Sequence, residues 1–206
     1  MPAFARAAPR AIPILFLAGV MLVAGCRTAP PRSIAGPGAD APWPAQRAGL
    51  ETLDRYALNG RVAVAANGQG FSANLRYAQQ ASNSQLSLDG PLGIGGLRLE
   101  LAGEDLEVAT SRGEKLDGLE ARAELERRLG FELPLNELRW WLLGIPAPGE
   151  AAVNAADSGE IRDFTQRGWR VVINSRVPGL GFSLPQRLTA EREGARLKLL
   201  VERWLP

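Results

Sequence analysis

The 206-residue chain contains no histidine and only one cysteine, Cys26. The absence of histidine removes the commonest general base, the commonest transition-metal ligand and every Ser-His or Cys-His nucleophilic pair. A single cysteine excludes an internal disulfide and a cysteine zinc cluster. The sequence also lacks a phosphate-binding loop, a dinucleotide fingerprint and a calcium loop. We therefore expect a protein that is not an enzyme and that uses no metal or cofactor.

Two clusters of acidic residues are candidates for catalytic carboxylate pairs. One cluster contains Glu104, Asp105 and Glu107, and the other contains Asp157 and Glu160. Both clusters adjoin a glycine, and turns favour such residues for local backbone reasons. The sequence therefore predicts solvated hairpin loops at both places.

The first 26 residues have the parts of a bacterial lipoprotein export signal. Two arginines precede an uncharged stretch of thirteen residues, 11–23, and an Ala-Gly pair directly precedes Cys26. This stretch is shorter than the roughly 20 residues that a membrane-spanning helix needs. We predict that residues 1–25 are a cleaved signal peptide and that the Cys26 thiol carries the lipid. The alternatives are an ordinary secretory signal with a chance cysteine and an uncleaved anchor.

The charge of the predicted mature chain is balanced. The precursor carries a formal net charge of +2, and residues 1–25 contribute two arginines and no acid, so the charge after cleavage is zero. Nucleic-acid binding needs a clustered positive face, and no long basic run occurs. We therefore expect no nucleic-acid partner.

The composition divides the mature chain into a linker and one domain. Residues 27–44 contain seven prolines or glycines and few apolar side chains, which predicts a flexible segment over 26–44. Residues 45–206 are enough for a single domain with a sizeable core.

Most of this domain alternates between apolar and polar residues, which is typical of strands with one buried face. Short strands joined by turns such as 67–70, 167–168 and 193–194 predict an antiparallel sheet. The predicted strands are 61–64, 71–77, 86–88, 97–101, 106–108, 161–166, 169–173, 187–192 and 196–204.

Three segments with helical spacing interrupt the strands, namely 45–56, 119–129 and 135–143. The third contains Trp140 and Trp141 and is apolar on more than one side. Such a helix is covered on both faces or faces an apolar surface that is not always present.

These segments resemble the outer-membrane lipoprotein receptor LolB family across nearly all of the mature domain. The most specific part is 133–146, which contains Trp141, Gly144 and Pro146. One departure is Gln46, where many members have a histidine. The resemblance also rests on Trp43, Leu50, Leu53, Tyr56 and Gly60, on 90–93, and on the terminal segment 197–204.

The resemblance implies a mainly β fold with an α lid. In this fold a strongly curved antiparallel sheet, an unclosed barrel, is covered on its concave face by about three helices. It implies a monomeric receptor in the outer membrane, facing the periplasm and anchored by its lipid. Such a receptor accepts lipoproteins from the soluble periplasmic carrier LolA and inserts them into the inner leaflet of the outer membrane without nucleotide. Arg27 agrees with this location, because enteric bacteria retain lipoproteins with aspartate at that position in the inner membrane.

The acyl chains of the cargo would occupy an apolar cavity over the sheet. For any single candidate residue, ordinary core packing is the better explanation, because one apolar face serves either purpose. The candidates are Val62, Val64, Phe71, Leu75, Tyr77, Leu86, Leu88, Leu97, Leu99, Leu101, Trp141, Trp169, Val171 and Ile173.

Leu92 lies between turn-forming residues, with Pro91 before it and Gly93 after it. A tight connection on both sides predicts that the Leu92 side chain points outward. The resemblance implies that this loop inserts into the membrane and helps to release cargo. The alternative is a leucine folded back onto the edge of the sheet.

Two rival functions remain open from the sequence. Instead of a receptor, the chain could be a lipoprotein of the same fold that carries a free lipid or glycolipid, or a non-transport scaffold of the outer membrane. A scaffold would have a filled sheet face.

Overall fold

The computed structural model describes residues 36–90 and 96–206. Cys26 and the predicted loop residues Pro91, Leu92 and Gly93 lie outside the described residues. Three helices and eleven strands occur within those ranges: α1 (Trp43–Thr52), β1 (Arg55–Ala66), β2 (Gln69–Gln80), β3 (Asn83–Asp89), β4 (Leu97–Ala102), β5 (Asp105–Ala109), β6 (Lys115–Asp117), α2 (Gly118–Leu129), α3 (Leu135–Leu142), β7 (Ala152–Ala155), β8 (Ile161–Gln166), β9 (Trp169–Gly179), β10 (Phe182–Arg192) and β11 (Ala195–Leu205).

The strands form one antiparallel sheet in the order β6-β5-β4-β3-β2-β1-β11-β10-β9-β8-β7. From β1 to β6 and from β7 to β11, each strand pairs with the strand that follows it in the chain. In addition, β1 pairs with β11, and this pairing joins the two halves of the chain. The sheet stays open between β6 and β7. This arrangement confirms the predicted fold class.

One face of the sheet, here called the inner face, is lined by apolar side chains and packs against the helices. In β1 every second residue from Tyr56 to Ala66 is buried, and β4 shows the same alternation with Leu97, Leu99 and Leu101. Side chains of the intervening positions form the outer face. Period-two patterning therefore predicted most strands correctly, although the edge strands β6 and β7 were not predicted.

Helix α1 starts and ends earlier than the sequence predicted. It begins at Trp43, after Pro42 as its N-cap residue, and ends at Thr52 instead of residue 56. Leu53 adopts an extended conformation, and the chain then enters β1, where Tyr56 pairs with Gln79. The three-residue spacing of Leu50, Leu53 and Tyr56 here reflects a helix followed by a strand, so the predicted helix over 45–56 was too long.

The other two helices lie within one residue of their predicted bounds. Helix α2 ends at Gly130, whose left-handed backbone (φ 80°) is accessible to glycine at little cost. Both helices bury side chains against the inner face, α2 through Leu125 and Leu129 and α3 through Trp141 and Leu142. Within the two described ranges, no helix combines the length and the apolar character that a membrane span requires.

Gln46 connects the start of the domain to the sheet. Its amide nitrogen donates to the carbonyls of Ala39 and Ala41, both at 2.8 Å, and its amide oxygen accepts from the Ser183 backbone, also at 2.8 Å. The side chain is buried, so three otherwise unpaired backbone groups depend on it. The residue that departs from the family pattern therefore has a structural role in this chain.

Gly60 lies at a bulge in the pairing of β1 with β11, between Asn59 and Gly60. The two strands approach so closely there that an added Cβ atom would overlap the carbonyl oxygen of Leu200. Only glycine fits this contact without a shift of the backbone.

We predict that Gly60→Ala lowers the free energy of unfolding by about 1–3 kcal/mol, because one strand must move to admit the methyl group. Urea unfolding followed by tryptophan fluorescence measures the change. Ala63→Ser, at an exposed position of the same strand, is the control and should stay within about 0.5 kcal/mol of the parent. Equal stability of the Gly60→Ala protein would show that the bulge is not tightly packed.

Glu124 gives α2 a pH-dependent contribution to stability. Its carboxylate accepts hydrogen bonds from Arg127 at 2.8 Å and Arg128 at 2.6 Å, and these bonds hold its pKa at about 2 instead of 4.5. A carboxyl group with a lowered pKa in the folded state stabilises the fold above pH 4.5, and this contribution is lost as the pH falls toward 2.

We therefore predict that Glu124→Gln is less stable than the parent at pH 7 and equally stable near pH 2. Urea unfolding at a series of pH values between 7 and 2 tests this. Glu126→Gln, an exposed position on the same helix, should show no such pH-dependent difference. A constant difference between Glu124→Gln and the parent at all pH values would contradict the prediction.

Candidate functional site

An apolar cavity of about 80 Å³ lies between the inner face of the sheet and helices α2 and α3. Apolar cavities of this kind stay free of water, because water finds no hydrogen-bond partners there. All of the lining residues are apolar: Val62, Val64, Leu75, Leu86, Leu88, Leu99, Leu125, Leu129, Leu133, Leu138, Trp141, Leu142, Leu188, Ala190, Leu197 and Leu199.

The local structure explains why these side chains meet. Along β1 and β11, alternate residues such as Val62, Val64, Leu197 and Leu199 point to the same side of the sheet. On the helix side of the cavity, Leu125 and Leu129 lie four residues apart on one face of α2. The cavity is therefore the space left where a helix face and a sheet face meet without full interdigitation.

Half of the fourteen cavity residues predicted from the sequence line this space. They are Val62, Val64, Leu75, Leu86, Leu88, Leu99 and Trp141. The other seven do not line it. All seven belong to the surrounding core or pack against it, namely Phe71, Tyr77, Leu97, Leu101, Trp169, Val171 and Ile173.

Trp169 shows why the sequence did not separate the two groups. It alternates with the other inner-face residues, yet its ring lies against Phe131 (centroids 5.3 Å apart) and Trp141 (6.4 Å apart). The aromatic side chains fill the space at that end of the sheet. A position on the inner face is thus necessary for lining the cavity but not sufficient.

The lining residues on β10 and β11, and those from α2 to α3 other than Trp141, were not predicted from the sequence. Leu188 and Ala190 alternate along β10, and Leu197 and Leu199 alternate along β11. The same period-two signal that selected β1 to β4 was present in both strands. Leu133 and Leu138 carried no such signal, because they follow α2 and lie within α3.

Gln166 fixes the orientation of Trp141 in the cavity wall. Its amide oxygen accepts from the Trp141 indole nitrogen and from the Ala147 backbone nitrogen, both at 2.9 Å. Its amide nitrogen donates to the Ala147 carbonyl at 2.9 Å. Because these groups are buried, Trp141 presents only its hydrocarbon edges to the cavity.

Polar side chains are grouped beside the cavity, where α3 meets the turn between β2 and β3. The Tyr56 hydroxyl donates to the Arg139 carbonyl, and Arg139 Nη1 donates to the Ala81 carbonyl at 3.1 Å. Burial raises the pKa of Tyr77, which donates to Gln79, to about 12, and burial also raises the pKa of Tyr56. Both phenols are therefore neutral at physiological pH.

Part of the cavity wall is near the surface. Leu133, Leu138 and the β11 residue Leu197 are only half-buried, whereas the other wall residues, such as Leu99 and Leu188, are buried. Among the described residues no group of three metal-ligating side chains is found.

Comparisons with known proteins agree with this architecture. The sequence profile of the family described as "Outer membrane lipoprotein LolB" matches residues 54–204. The chain is 32% identical over 191 residues to the outer-membrane lipoprotein LolB of Pseudomonas putida, which covers 91% of this chain and 92% of that protein. It is 29% identical over 188 residues to the LolB of Stutzerimonas stutzeri, covering 90% and 91% of the two chains.

A solved structure provides a further likeness in fold. The LolA superfamily protein from Nitrosomonas europaea superposes with a TM-score of 0.51 at 14% identity, covering 75% of this chain and 86% of that chain. At this identity the likeness concerns the fold alone. The profile match and the Pseudomonas relative show that the chain belongs to the LolB family of outer-membrane lipoproteins, and this confirms the family and the outer-membrane location predicted from the sequence.

Proposed function

We propose that this protein is a lipoprotein receptor that takes lipoprotein cargo from the periplasmic carrier LolA and inserts it into the inner leaflet of the outer membrane. The observation that carries the proposal is the wholly apolar lining of the cavity over the inner face. Such a lining recognises hydrocarbon and offers no polar group for a headgroup or a peptide. The acyl chains of the cargo would therefore enter the domain, and its protein part would stay outside.

The cavity must enlarge before it can hold an acyl chain. Its volume is about 80 Å³, whereas ligand pockets generally measure about 300–1,000 Å³. The described conformation is thus a closed form of the proposed receptor. Binding would separate the helices from the sheet.

Helix α2 is the element that would move at the lower cost. The polar contacts at its two ends are exposed: Arg122 donates to the Glu104 carbonyl at 2.9 Å, and Asn67 donates to the Gly130 carbonyl at 3.0 Å. Helix α3 instead has a buried hydrogen bond to Gln166. Exposed hydrogen bonds exchange readily for bonds to water, whereas a buried bond leaves unpaired groups when it breaks.

Transfer in this scheme needs no nucleotide. Burial of each methylene contributes about 0.8 kcal/mol to binding in either apolar site. Small differences between two cavities in how well they bury a methylene therefore add up along a long acyl chain. The direction of transfer would follow a graded affinity for acyl chains, rising from the carrier to the receptor and then to the bilayer.

In the proposed function, Leu92 contacts the membrane when cargo is delivered. An exposed leucine that enters lipid gains about 1.5–3 kcal/mol, which suits a brief contact and is too little for an anchor. The predicted lipid on Cys26 would supply the permanent attachment. Cargo binding and membrane contact would then depend on different parts of the chain.

The cavity hypothesis predicts that Ala190→Leu reduces cargo acceptance. Ala190 lines the cavity, so the larger side chain would occupy space that the acyl chain needs and lower acceptance on the order of tenfold. The assay mixes a LolA-lipoprotein complex with the mature chain carrying Cys26→Ala and measures cargo bound to each protein after separation.

Ala65→Leu is the matched control, because Ala65 is exposed on the outer face of β1. This variant should accept cargo like the parent, and both variants should keep the parent's far-UV circular dichroism spectrum. If the parent accepts no cargo, the receptor function is wrong. If it copurifies with free lipid but refuses lipoprotein, it is a lipid carrier instead.

The delivery hypothesis predicts that Leu92→Glu accepts cargo normally but delivers it to vesicles about tenfold more slowly, because a carboxylate does not enter hydrocarbon. Flotation of vesicles separates delivered from retained lipoprotein. Leu119→Glu is the control, since the Leu119 side chain is 85% exposed on α2. Normal delivery by Leu92→Glu would contradict a membrane role for this loop.

A further inference from the structure

A groove of about 590 Å³ crosses the outer face of the sheet, on the side opposite to the cavity. Three cations line it, Arg61 on β1, Lys198 on β11 and Arg187 on β10, and none of its described lining residues is acidic. This feature, here called the outer groove, plays no part in the proposed binding of acyl chains.

The strand register brings the three cations together. Arg61 and Arg187 both lie opposite Leu200, one from each side, so they are two strand spacings or about 10 Å apart. Lys198 lies two residues before Leu200, between Ala63 and Thr189. Like charges on neighbouring strands repel, and the repulsion is relieved when an anion lies between them.

Only one of these cations has its charge balanced within the described part of the chain. Arg61 pairs with Glu202 at 2.7 Å. Arg187 and Lys198 are both exposed, and neither takes part in any of the ion pairs among the described residues. The outer groove therefore keeps a net positive charge.

Neutral polar groups complete the lining. Thr189 donates to the amide oxygen of Asn174 at 2.8 Å, which leaves the amide nitrogen of Asn174 as a donor for a ligand. The Ser72 hydroxyl lies in the same groove, opposite the small side chain of Ala63. Two cations together with amide and hydroxyl donors make a site suited to phosphate oxygens.

We propose that the outer groove binds the phosphate groups of anionic phospholipids at the surface of the membrane that anchors the chain. This proposal rests on the membrane attachment in the proposed function and extends it to the headgroup layer. Each cation near an anionic surface strengthens membrane binding about fivefold.

The length of the chain before Gly36 allows this contact. Nine residues lie between Cys26 and Gly36, and the ten steps from one to the other reach at most about 35 Å. The domain begins beside the turn before β10, where the Gly38 backbone donates to the Gly181 carbonyl at 3.0 Å. Arg187 lies six residues beyond Gly181, about 20 Å along the strand. The groove is therefore within reach of a bilayer that holds Cys26.

The predicted membrane loop begins at the border of the same groove. A Cβ atom on Gly90, the residue before Pro91, would lie 3.0 Å from the Ser72 carbonyl oxygen. Ser72 itself lines the groove. Contact of the groove with headgroups would therefore hold the start of this loop near the lipid surface.

The test measures sedimentation of the mature chain carrying Cys26→Ala with two kinds of vesicle, pure phosphatidylcholine and phosphatidylcholine with phosphatidylglycerol. We expect binding to the anionic vesicles that weakens with salt. Arg187→Gln combined with Lys198→Gln should reduce it roughly twentyfold. Arg55→Gln combined with Arg162→Gln removes the same charge from exposed positions outside the groove and should have little effect.

Equal losses in the two double variants, or equal binding to both kinds of vesicle, would overturn the proposal. Binding of inorganic phosphate without a preference for anionic vesicles would also overturn it. Cargo acceptance from LolA in solution, measured on the same proteins, separates the two proposals. If the groove double variant loses vesicle binding but accepts cargo normally, the defect lies in the groove. If the parent binds anionic vesicles selectively but accepts no cargo, only the receptor function is refuted.

Discussion

The inner face of the open sheet is apolar from β1 to β5 and from β8 to β11, and it has to be covered without closing the barrel. Helices α2 and α3 are the cover, and they are short, with twelve and eight residues. Two layers of this shape do not interdigitate fully, and a space of about 80 Å³ remains between them. Such a space costs about 2 kcal/mol of stability, at about 24 cal/mol per Å³. In the proposed receptor function, an acyl chain would recover this cost on entry.

Sequence patterning predicted the architecture because the sheet has one buried face. Strict alternation marks such strands without knowledge of their partners, and the helices over 119–129 and 135–143 were found by their own period. The first helix was predicted too long, because Leu50, Leu53 and Tyr56 have a spacing that fits a helix. In the structure Tyr56 pairs with Gln79 and therefore belongs to β1. The edge strands β6 and β7 escaped prediction for another reason. All four residues of β7 are exposed, so this strand has no apolar face to signal it.

The candidate site was predictable only as a face of the sheet. Seven of the fourteen predicted residues line the cavity, and what divides them from the other seven is the helix or aromatic ring that lies above each one. That information is tertiary: Phe131 and Trp141 fill the space over Trp169, whereas the leucines of α2 leave space over Val62 and Leu188. Burial alone is the same in both cases, since Trp169 and Leu188 are both buried. Volume depends on the fit between layers, and no pattern within one strand encodes it.

The inner and outer faces are coupled through the register of β1 and β11. On β11, Leu197 and Leu199 point toward the cavity and Lys198 between them lies in the outer groove. A slip of one residue would exchange the two faces and bury the cation. The bulge at Gly60 is the irregular point in this pairing, and from Gly60 to Ala66 the register then runs without a shift. The close contact of Gly60 with Leu200 therefore sets the position of the cavity wall and of the cationic groove together, so that neither face can change its alignment without the other.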